Sequence, residues 1–401
     1  MKEYENILRF AEEHDVKFVS LAFCDIYGNQ KNICVMPEEL PRIFENGISF
    51  DASDIPGFTD KESVSCLLFP EPETMTLLPW STSGEKELHL FCDIRHTDSS
   101  PFESDLRYAL KKAVARLFEL GYECKVGIES EFYLFKCDTD GNPTRTPLDN
   151  AGYMDISPRD KGGDIRREIC LTLGEMGIRP QSSQHKRGPG QNEIDFRYSD
   201  AMTAADDAMN FLTVVKAAAQ RNGLYADFSP KPLDGESGNG LHINMSVKCN
   251  DGEDRTNAFM AGILAHIKEM TAVLNPTEQS YKRLGEKKAP KYITWSPENR
   301  SQLIRVPAAK GEYKRIELRS PDPTVNPYIA YALLIYAGLD GIEKGLQSPE
   351  AVNVNLYKAE KSLTDTLQKL PDTLEEAKTL AAASPFMKEI LGESLNDILG
   401  L

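Results

Sequence analysis

Residues 127–135 read GIESEFYLF, and a single residue, Ser130, separates the acids Glu129 and Glu131 in this β-forming run. A strand alternates its side chains between two faces, so both carboxylates project from the same one. Acids facing one way repel, which leaves two readings: a solvated strand face, or a cation or base seated between them. The arrangement recurs along the chain. PGQNEIDFRY (189–198) puts Glu193 and Asp195 on one face of a second strand, and LHINMS (241–246) does the same for His242 and Asn244 on a third. KRIELRSPDP (314–323) aligns Arg315, Glu317 and Arg319 on a fourth. Facing strands of a curved sheet would converge these groups on one cavity.

The segments around these strands predict a mixed α+β protein. The chain has 401 residues, long enough for two domains. A helix is expected over 4–14, followed by two β runs joined at Tyr27-Gly28-Asn29. A helix in PEELPRIFENG is closed by Gly47, and SCLLFPEPETMTLLPW and KELHLFCDI read as strands. The polar, proline-containing HTDSSPFESD then marks a boundary. The division is therefore 1–98, a small α+β unit, and 99–401. The second part opens with a helix, LRYALKKAVARLFELG, capped by Ser104-Asp105. Further helices are expected in DIRREICLTLGEMG, from about Ala201 to Asn222, and in AFMAGILAHIKEMTAVL. Neither GxGxxG nor GxxxxGK[ST] opens a helix after a strand, so Rossmann and P-loop nucleotide sites are not expected.

A net charge of −16 makes a general nucleic-acid binder an unlikely class, because phosphate contacts need clustered Lys and Arg. No apolar run approaches the ~18 residues of a membrane span, and the polar start of the chain does not resemble a signal peptide. Eight scattered cysteines without a CxxC pair predict reduced thiols in the cytoplasm and argue against zinc. The oxygen-rich strand faces suit Mg²⁺ or Mn²⁺ instead. His242 alone would read as a core histidine; beside Glu129 and Glu317 it reads as a ligand. The arginines suit two-pronged binding of carboxylate and phosphate. The combination points to phosphoryl transfer from a metal nucleotide to a carboxylate.

FDASDIPGF, PETMTLLPW, GIESEFYLF, PGQNEIDFRY, SPKPL, GNGLHINMS, SYKRL, NRSQLIRVP and RIELRSPDPTVNPY together resemble, in order, the motifs of the glutamine synthetase family, from about residue 5 to residue 395. The resemblance implies an N-terminal β-grasp-like domain and a larger catalytic domain with a curved antiparallel sheet and flanking helices. It implies a homo-oligomeric ring, hexamer or double hexamer, with active sites between neighbours. It implies ATP and Mg²⁺ or Mn²⁺, with Glu129, His242 and Glu317 on the metal that holds the ATP phosphates and Glu131 and Glu193 on the other. Arg283, Arg319 and Gly238 would meet the glutamate substrate. Arg300, Arg305 and Arg315 would serve phosphate and nucleotide, with Ser246 at a nucleotide contact. Asp51 would reach across the subunit boundary to the ammonium site. The activity implied is amide formation from glutamate and an amine through a γ-glutamyl phosphate.

Four departures qualify this. Lys186 stands where the family has the third carboxylate of one metal site, and it would act as a counter-charge beside Glu131 and Glu193 instead of a ligand. In the flap sequence Lys287-Lys288-Ala289-Pro290, Lys288 replaces the glutamate that takes a proton from ammonium. Ser237 precedes the substrate glycine where the family has Asn, and the C-terminal helical extension is missing after ESLNDILGL, which favours a single or weak double ring. The two lysines reverse charge at the amide-forming end while the ATP end is intact. The expectation is a ligase of altered amine preference; the alternative is a non-catalytic or regulatory paralogue that binds nucleotide or amino acid.

Overall fold

The computed structural model describes residues 3–59, 63–79, 85–286, 288–309, 311 and 314–401; Trp80 and Lys287 fall outside them. The N-terminal part contains α1 (Glu3–Glu13), β1 (Val16–Cys24), β2 (Gln30–Val35), α2 (Leu40–Asn46), β3 (Ile48–Asp51), β4 (Ser65–Pro70), β5 (Thr76–Leu78) and β6 (Lys86–His96). Its sheet runs β2-β1-β6-β4-β3, with β5 added to β6 and only the β1–β6 pair parallel. Gly47 closes α2 with φ of 70°, a left-handed conformation that glycine enters without a Cβ clash.

The larger part begins with α3 (Leu106–Glu119), whose N-cap is Asp105; its carboxylate accepts from the backbone of Arg107 and Tyr108. There follow β7 (Tyr122–Cys137), β8 (Pro143–Pro147), α4 (Gly163–Glu175), β9 (Pro180–His185), β10 (Gln191–Phe196), β11 (Ser199–Asp200), α5 (Ala201–Arg221), β12 (Leu224–Asp227) and β13 (Leu241–Cys249). Then come α6 (Thr256–Leu274), α7 (Glu278–Arg283), β14 (Trp295–Ser296), β15 (Ile304–Arg305), β16 (Ile316–Leu318), α8 (Pro327–Glu343), α9 (Lys361–Thr364), α10 (Leu374–Ala383), α11 (Pro385–Leu391) and α12 (Ser394–Leu399). The sheet order is β14-β15-β16-β13-β7-β10-β9, antiparallel except for the short β14–β15 pair, and β8, β11 and β12 also pair with the long β7.

Helices α6 and α8 pack on each other behind this sheet, so closely that a Cβ on Gly262 would lie 2.0 Å from the Ala337 carbonyl oxygen. A buried ionic network ties the two parts together. Arg107 of α3 contacts Asp93 of β6 at 3.0 Å and Asp206 of α5 at 2.9 Å, and the Tyr328 hydroxyl of α8 donates to Asp206 at 2.7 Å. Each charge there has a partner, which is the condition for burying it without large cost.

Candidate active site

Strand register, which sequence alternation leaves open, aligns the polar groups into two rows across the sheet. In the first, Asp195 of β10 lies opposite Glu129 of β7, and Glu129 lies opposite His242 of β13. Asn244 of β13 faces Glu317 of β16, and Glu317 faces Arg305 of β15. His242 Nδ1 lies 3.0 Å from Glu129 Oε2, the Asn244 amide donates to Glu129 at 3.2 Å, and Arg305 contacts Glu317 at 2.7 Å. Arg319 also pairs with Glu317. Burial pushes the Glu129 carboxyl up, but the hydrogen bond and charge of His242 outweigh this and bring it down to about 2. Glu317 is likewise lowered: burial opposes ionisation, and Arg319 and His242 overcome it. The row is held ionised.

The donors fit a hard divalent ion. Glu129, His242 and Glu317 offer ligand atoms within 4.8 Å of one another, and so do Glu129, Glu193 and Asp195. Asp195 Oδ1 is buried with no hydrogen-bond partner, an orphaned acceptor that a cation would satisfy. Burial raises the Asp195 carboxyl to about 6. A third cluster, Asp149, Asp160 and His185, is already satisfied: Asp149 accepts from the backbone of Ala151, Lys161 and Gly190, and Arg166 pairs with Asp160 at 2.5 Å.

In the second row Glu193 lies directly opposite Glu131, a like-charge pair that would destabilise the sheet if left bare. Lys186, one residue beyond β9, inserts its ammonium between them, 2.5 Å from Glu193 and 3.1 Å from Glu131. Its position is fixed from behind. His185 Nδ1 lies 2.8 Å from the Lys186 carbonyl oxygen, and His185 Nε2 lies 3.0 Å from Asp149. Burial opposes the charge on Lys186, yet the two acids raise its pKa, so it stays protonated. Glu131 is lowered despite its burial, by Lys186 and His242, whereas burial raises Glu193 to about 8.

The two rows meet at a cavity of about 120 Å³, the first reaching it through His242 and the second through Glu131 and Lys186; Gly238, Arg283, Lys288, Arg300 and Arg319 also line it. Gly238 and Gly240 let the loop before β13 close on Arg283: a Cβ on Gly238 would lie 2.4 Å from the Pro230 carbonyl oxygen and 2.9 Å from Arg283 Cγ. The Gly240 N–H donates to Glu131 at 2.7 Å. Arg283 is buried and donates to the Ser320 carbonyl at 2.7 Å; Arg319 donates to the Arg300 carbonyl at 3.1 Å. Burial lowers the Lys288 ammonium, and the neighbouring Arg187, Arg319, Arg300 and Lys186 lower it further.

The remaining expected residues lie elsewhere. Arg305 and Arg315 do not line the cavity; Arg315 donates to Asn244 at 3.3 Å, with its guanidinium 5.7 Å from the Tyr198 ring centre. Ser246 lines a separate cleft with Lys125, Lys248, Asp254 and Lys314. Asp51 is exposed on β3, accepts from the Ser53 N–H at 3.0 Å, and does not line the cavity of its own chain. Ser237 lines the cavity and accepts from the Tyr133 hydroxyl at 2.6 Å through its backbone carbonyl. Four cavity residues had no role in the sequence-based reading: Tyr153, Arg187, Gln191 and Ala289. Gln191 donates to the Gly238 carbonyl at 3.1 Å and so holds the glycine loop; its place between the PG turn and the acidic strand was the available signal.

A β-grasp-like unit joined to an antiparallel sheet whose acids, histidine and arginines surround one cavity is the architecture of an ATP-dependent carboxylate–amine ligase. Residues 15–97 match the family pattern described as "Glutamine synthetase, beta-Grasp domain", and residues 103–398 match "Glutamine synthetase, catalytic domain". The chain is 42% identical over 404 residues to a glutamine synthetase of Clostridium saccharobutylicum, covering 97% of this chain and 91% of that one. It is 41% identical over 405 residues to a glutamine synthetase of Methanosarcina mazei, covering 97% and 90%. Among solved structures it superposes on GmaS in complex with ADP with a TM-score of 0.88 at 30% identity, covering 98% of this chain and 94% of that one. GmaS without ligand gives 0.87 at 30% identity. The protein therefore belongs to the glutamine synthetase family.

Proposed function

We propose that the protein joins glutamate to an amine at the expense of ATP, in the cytoplasm, through a γ-glutamyl phosphate. The observation that carries this reading is the unbroken first row, Glu129–His242–Glu317, which reaches through His242 the cavity lined by Arg283 and Arg319. Glu129, His242 and Glu317 would hold a divalent ion, Mg²⁺ or Mn²⁺, which would neutralise charge on the phosphate oxygens. Arg283 donates to the Ser320 and Arg319 carbonyls, and Arg319 to the Arg300 carbonyl and to Glu317, which fixes their guanidinium planes; only the N–H groups beyond these contacts are left for substrate carboxylates. Arg300 lies at the same cavity, suited to the transferring phosphoryl group, while Arg305 and Arg315 back the row and Ser246 marks the nucleotide side. A γ-carboxylate oxygen of glutamate attacks the terminal phosphorus of ATP and ADP departs. The amine nitrogen then attacks the acyl carbon and phosphate departs. The chain contributes positioning and charge, with no covalent intermediate on a side chain.

In the second row, Lys186 takes the place of a second metal between Glu131 and Glu193. Asp51, remote from its own cavity, is suited to complete a neighbour's site in a homo-oligomeric ring. A steady-state assay of phosphate release with ATP, Mg²⁺, glutamate and a panel of amines tests the reading. Amine-dependent release with at least one member is expected; no release above the ATP-only rate with any of them overturns it.

A further inference from the structure

The inner cavity adjoins a second, outer chamber of about 630 Å³, a vestibule beside it, and the two share Arg187, Ser237 and Lys288 in their linings. Seven of the residues lining the two chambers are Lys or Arg, and two, Glu131 and Glu236, are acidic. Three of the seven are already committed: Lys186 to Glu131 and Glu193, Arg319 to Glu317, and Arg283 to backbone carbonyls. Arg187, Lys288, Arg300 and Lys358 have no acid within ion-pair distance among the described residues. If Arg300 serves phosphate, three uncommitted cations remain around the way in. Among the described residues of this chain that line the outer chamber, the acid facing them is Glu236.

The placement of Lys288 is not that of a loose surface arm. Its φ is 82°, in the left-handed region that side chains other than glycine enter at a steric cost. A tight turn holds it there: Gly285 N–H donates to the Ala289 carbonyl at 3.0 Å, and Ala289 N–H to the Glu286 carbonyl at 2.8 Å. The turn is anchored in turn by Lys231, which contacts Glu286 at 3.0 Å. Opposite, the Arg187 guanidinium lies 5.7 Å from the Tyr153 ring centre, a cation–π contact that leaves its N–H groups available to an anion. Clefts lined by one sign of charge concentrate ligands of the other sign and repel their own.

Resting on the ligase reading above, we propose that the amine substrate is itself anionic: an amine carrying at least two carboxylates, such as an acidic amino acid, held by Arg187, Lys288 and Lys358. Its ammonium form releases one proton to water. The nitrogen lone pair then forms the C–N bond as the acyl C–O bond breaks, and the departing phosphate takes the second proton. Ammonium, methylamine and diamines bring only positive charge to this vestibule.

Three measurements decide it. First, positional isotope scrambling in ATP with glutamate and no acceptor reports acyl-phosphate formation whatever the amine is; its absence would count against the ligase reading alone. Second, kcat/KM is compared for aspartate, glutamate as acceptor, a glutamyl dipeptide, phosphoethanolamine, ammonium, methylamine and putrescine. The carboxylate-bearing amines are expected to lead by roughly 10-fold or more, the scale of a single charge-assisted hydrogen bond. Ammonium, methylamine or putrescine matching them overturns the proposal, and phosphoethanolamine leading the panel replaces carboxylate by phosphate and overturns it as stated. Third, calorimetry on protein loaded with ADP, Mg²⁺ and glutamate compares aspartate with putrescine, independently of turnover; equal or tighter putrescine binding overturns it. Lys288→Glu should lower kcat/KM for the acidic acceptor by roughly 10- to 100-fold and raise it for ammonium. If that variant does not fold, Lys358→Glu at the outer rim should show the same reversal of preference at smaller scale; no reversal in a folded variant overturns the proposal.

Discussion

The two rows of this sheet start from the same chemistry and end in opposite states. Each crosses the β7–β10 boundary with acids directly opposed, Asp195 with Glu129 in one and Glu193 with Glu131 in the other. In the first row His242, Asn244, Arg305 and Arg319 hold Glu129 and Glu317 ionised from the sides, and Asp195 Oδ1 is left without a donor. On the proposed reading, that row would take its cation from solution. The second row carries its cation in the chain, because the Lys186 ammonium fills the gap. A mobile divalent ion can follow charge that develops during a reaction, whereas a tethered ammonium neutralises standing charge and offers no ligand positions. On the proposed ligase reading, the first row would serve the phosphate chemistry and the second would hold its standing charge in place.

The largest effect is expected where the built-in cation is removed. Lys186→Met leaves Glu131 and Glu193 opposed, buried and unpaired, which should cost about 3–5 kcal/mol in urea unfolding. Millimolar Mn²⁺ should recover part of that loss in the variant and not add a comparable increment to the wild type at this position. In crystals soaked with Mn²⁺, the wild type should show one strong anomalous peak per site, beside Glu129, His242 and Glu317. A wild-type second peak about 3.5–4 Å away, the spacing of paired catalytic metals, would erase the distinction between the rows. Lys186→Glu should create that second peak.

A somewhat smaller effect is expected in the first row, and on catalysis instead of folding. Glu129→Gln keeps the side-chain shape but removes the charge that His242 holds ionised. Phosphate release under saturating substrates should fall by roughly 10²- to 10³-fold, the scale for losing one preorganised electrostatic group at a reacting centre. The same variant should lose Mn²⁺ affinity while its urea midpoint moves less than that of Lys186→Met. A Glu129→Gln enzyme of wild-type activity would mean that the row does not serve the chemistry.

Much of this contrast was legible in the sequence because strands have a period of two. Alternation alone placed Glu129 with Glu131, Glu193 with Asp195, and His242 with Asn244, and the family motifs then placed Lys186 next to two of those acids. Register was not legible: that Glu193 meets Glu131 and not Glu129 depends on how β10 hydrogen-bonds to β7 across about 60 residues of intervening chain. The strand that delivers Lys186, β9, was missed because PQSSQH is polar and half exposed, with no apolar alternation to mark it. Helix α8 was missed for the opposite reason. PYIAYALLIYAGLDGIE is apolar on nearly every side, so a helical period is hidden although Asn326 caps it and Pro327 begins it. The cationic vestibule was only half visible: Lys288 was marked as a departure, but Arg187 gained meaning only when the fold put it in the lining of the same chamber as Lys288.

The smallest expected effect separates the rows by the sign of a pH slope. The Glu129 carboxyl is lowered to about 2, so its contribution to stability is complete above the ordinary glutamate range and is lost as pH falls towards 2. The Glu193 carboxyl is raised to about 8 by burial, so its contribution is complete below the ordinary range and shrinks as pH rises through 8. Urea unfolding of wild type, Glu129→Gln and Glu193→Gln from pH 3 to 9 reads both. The stability difference between wild type and Glu129→Gln should grow from pH 3 to about 5 and then stay level. The difference between wild type and Glu193→Gln should decline between about pH 5 and 8. Lys186 tempers the second slope, because its ammonium opposes the effect of burial on Glu193, and the Lys186→Met background should steepen it. Parallel slopes for the two variants would show that Lys186 neutralises Glu193 as fully as His242 does Glu129, and that the two rows differ in the source of their cation but not in the charge they carry.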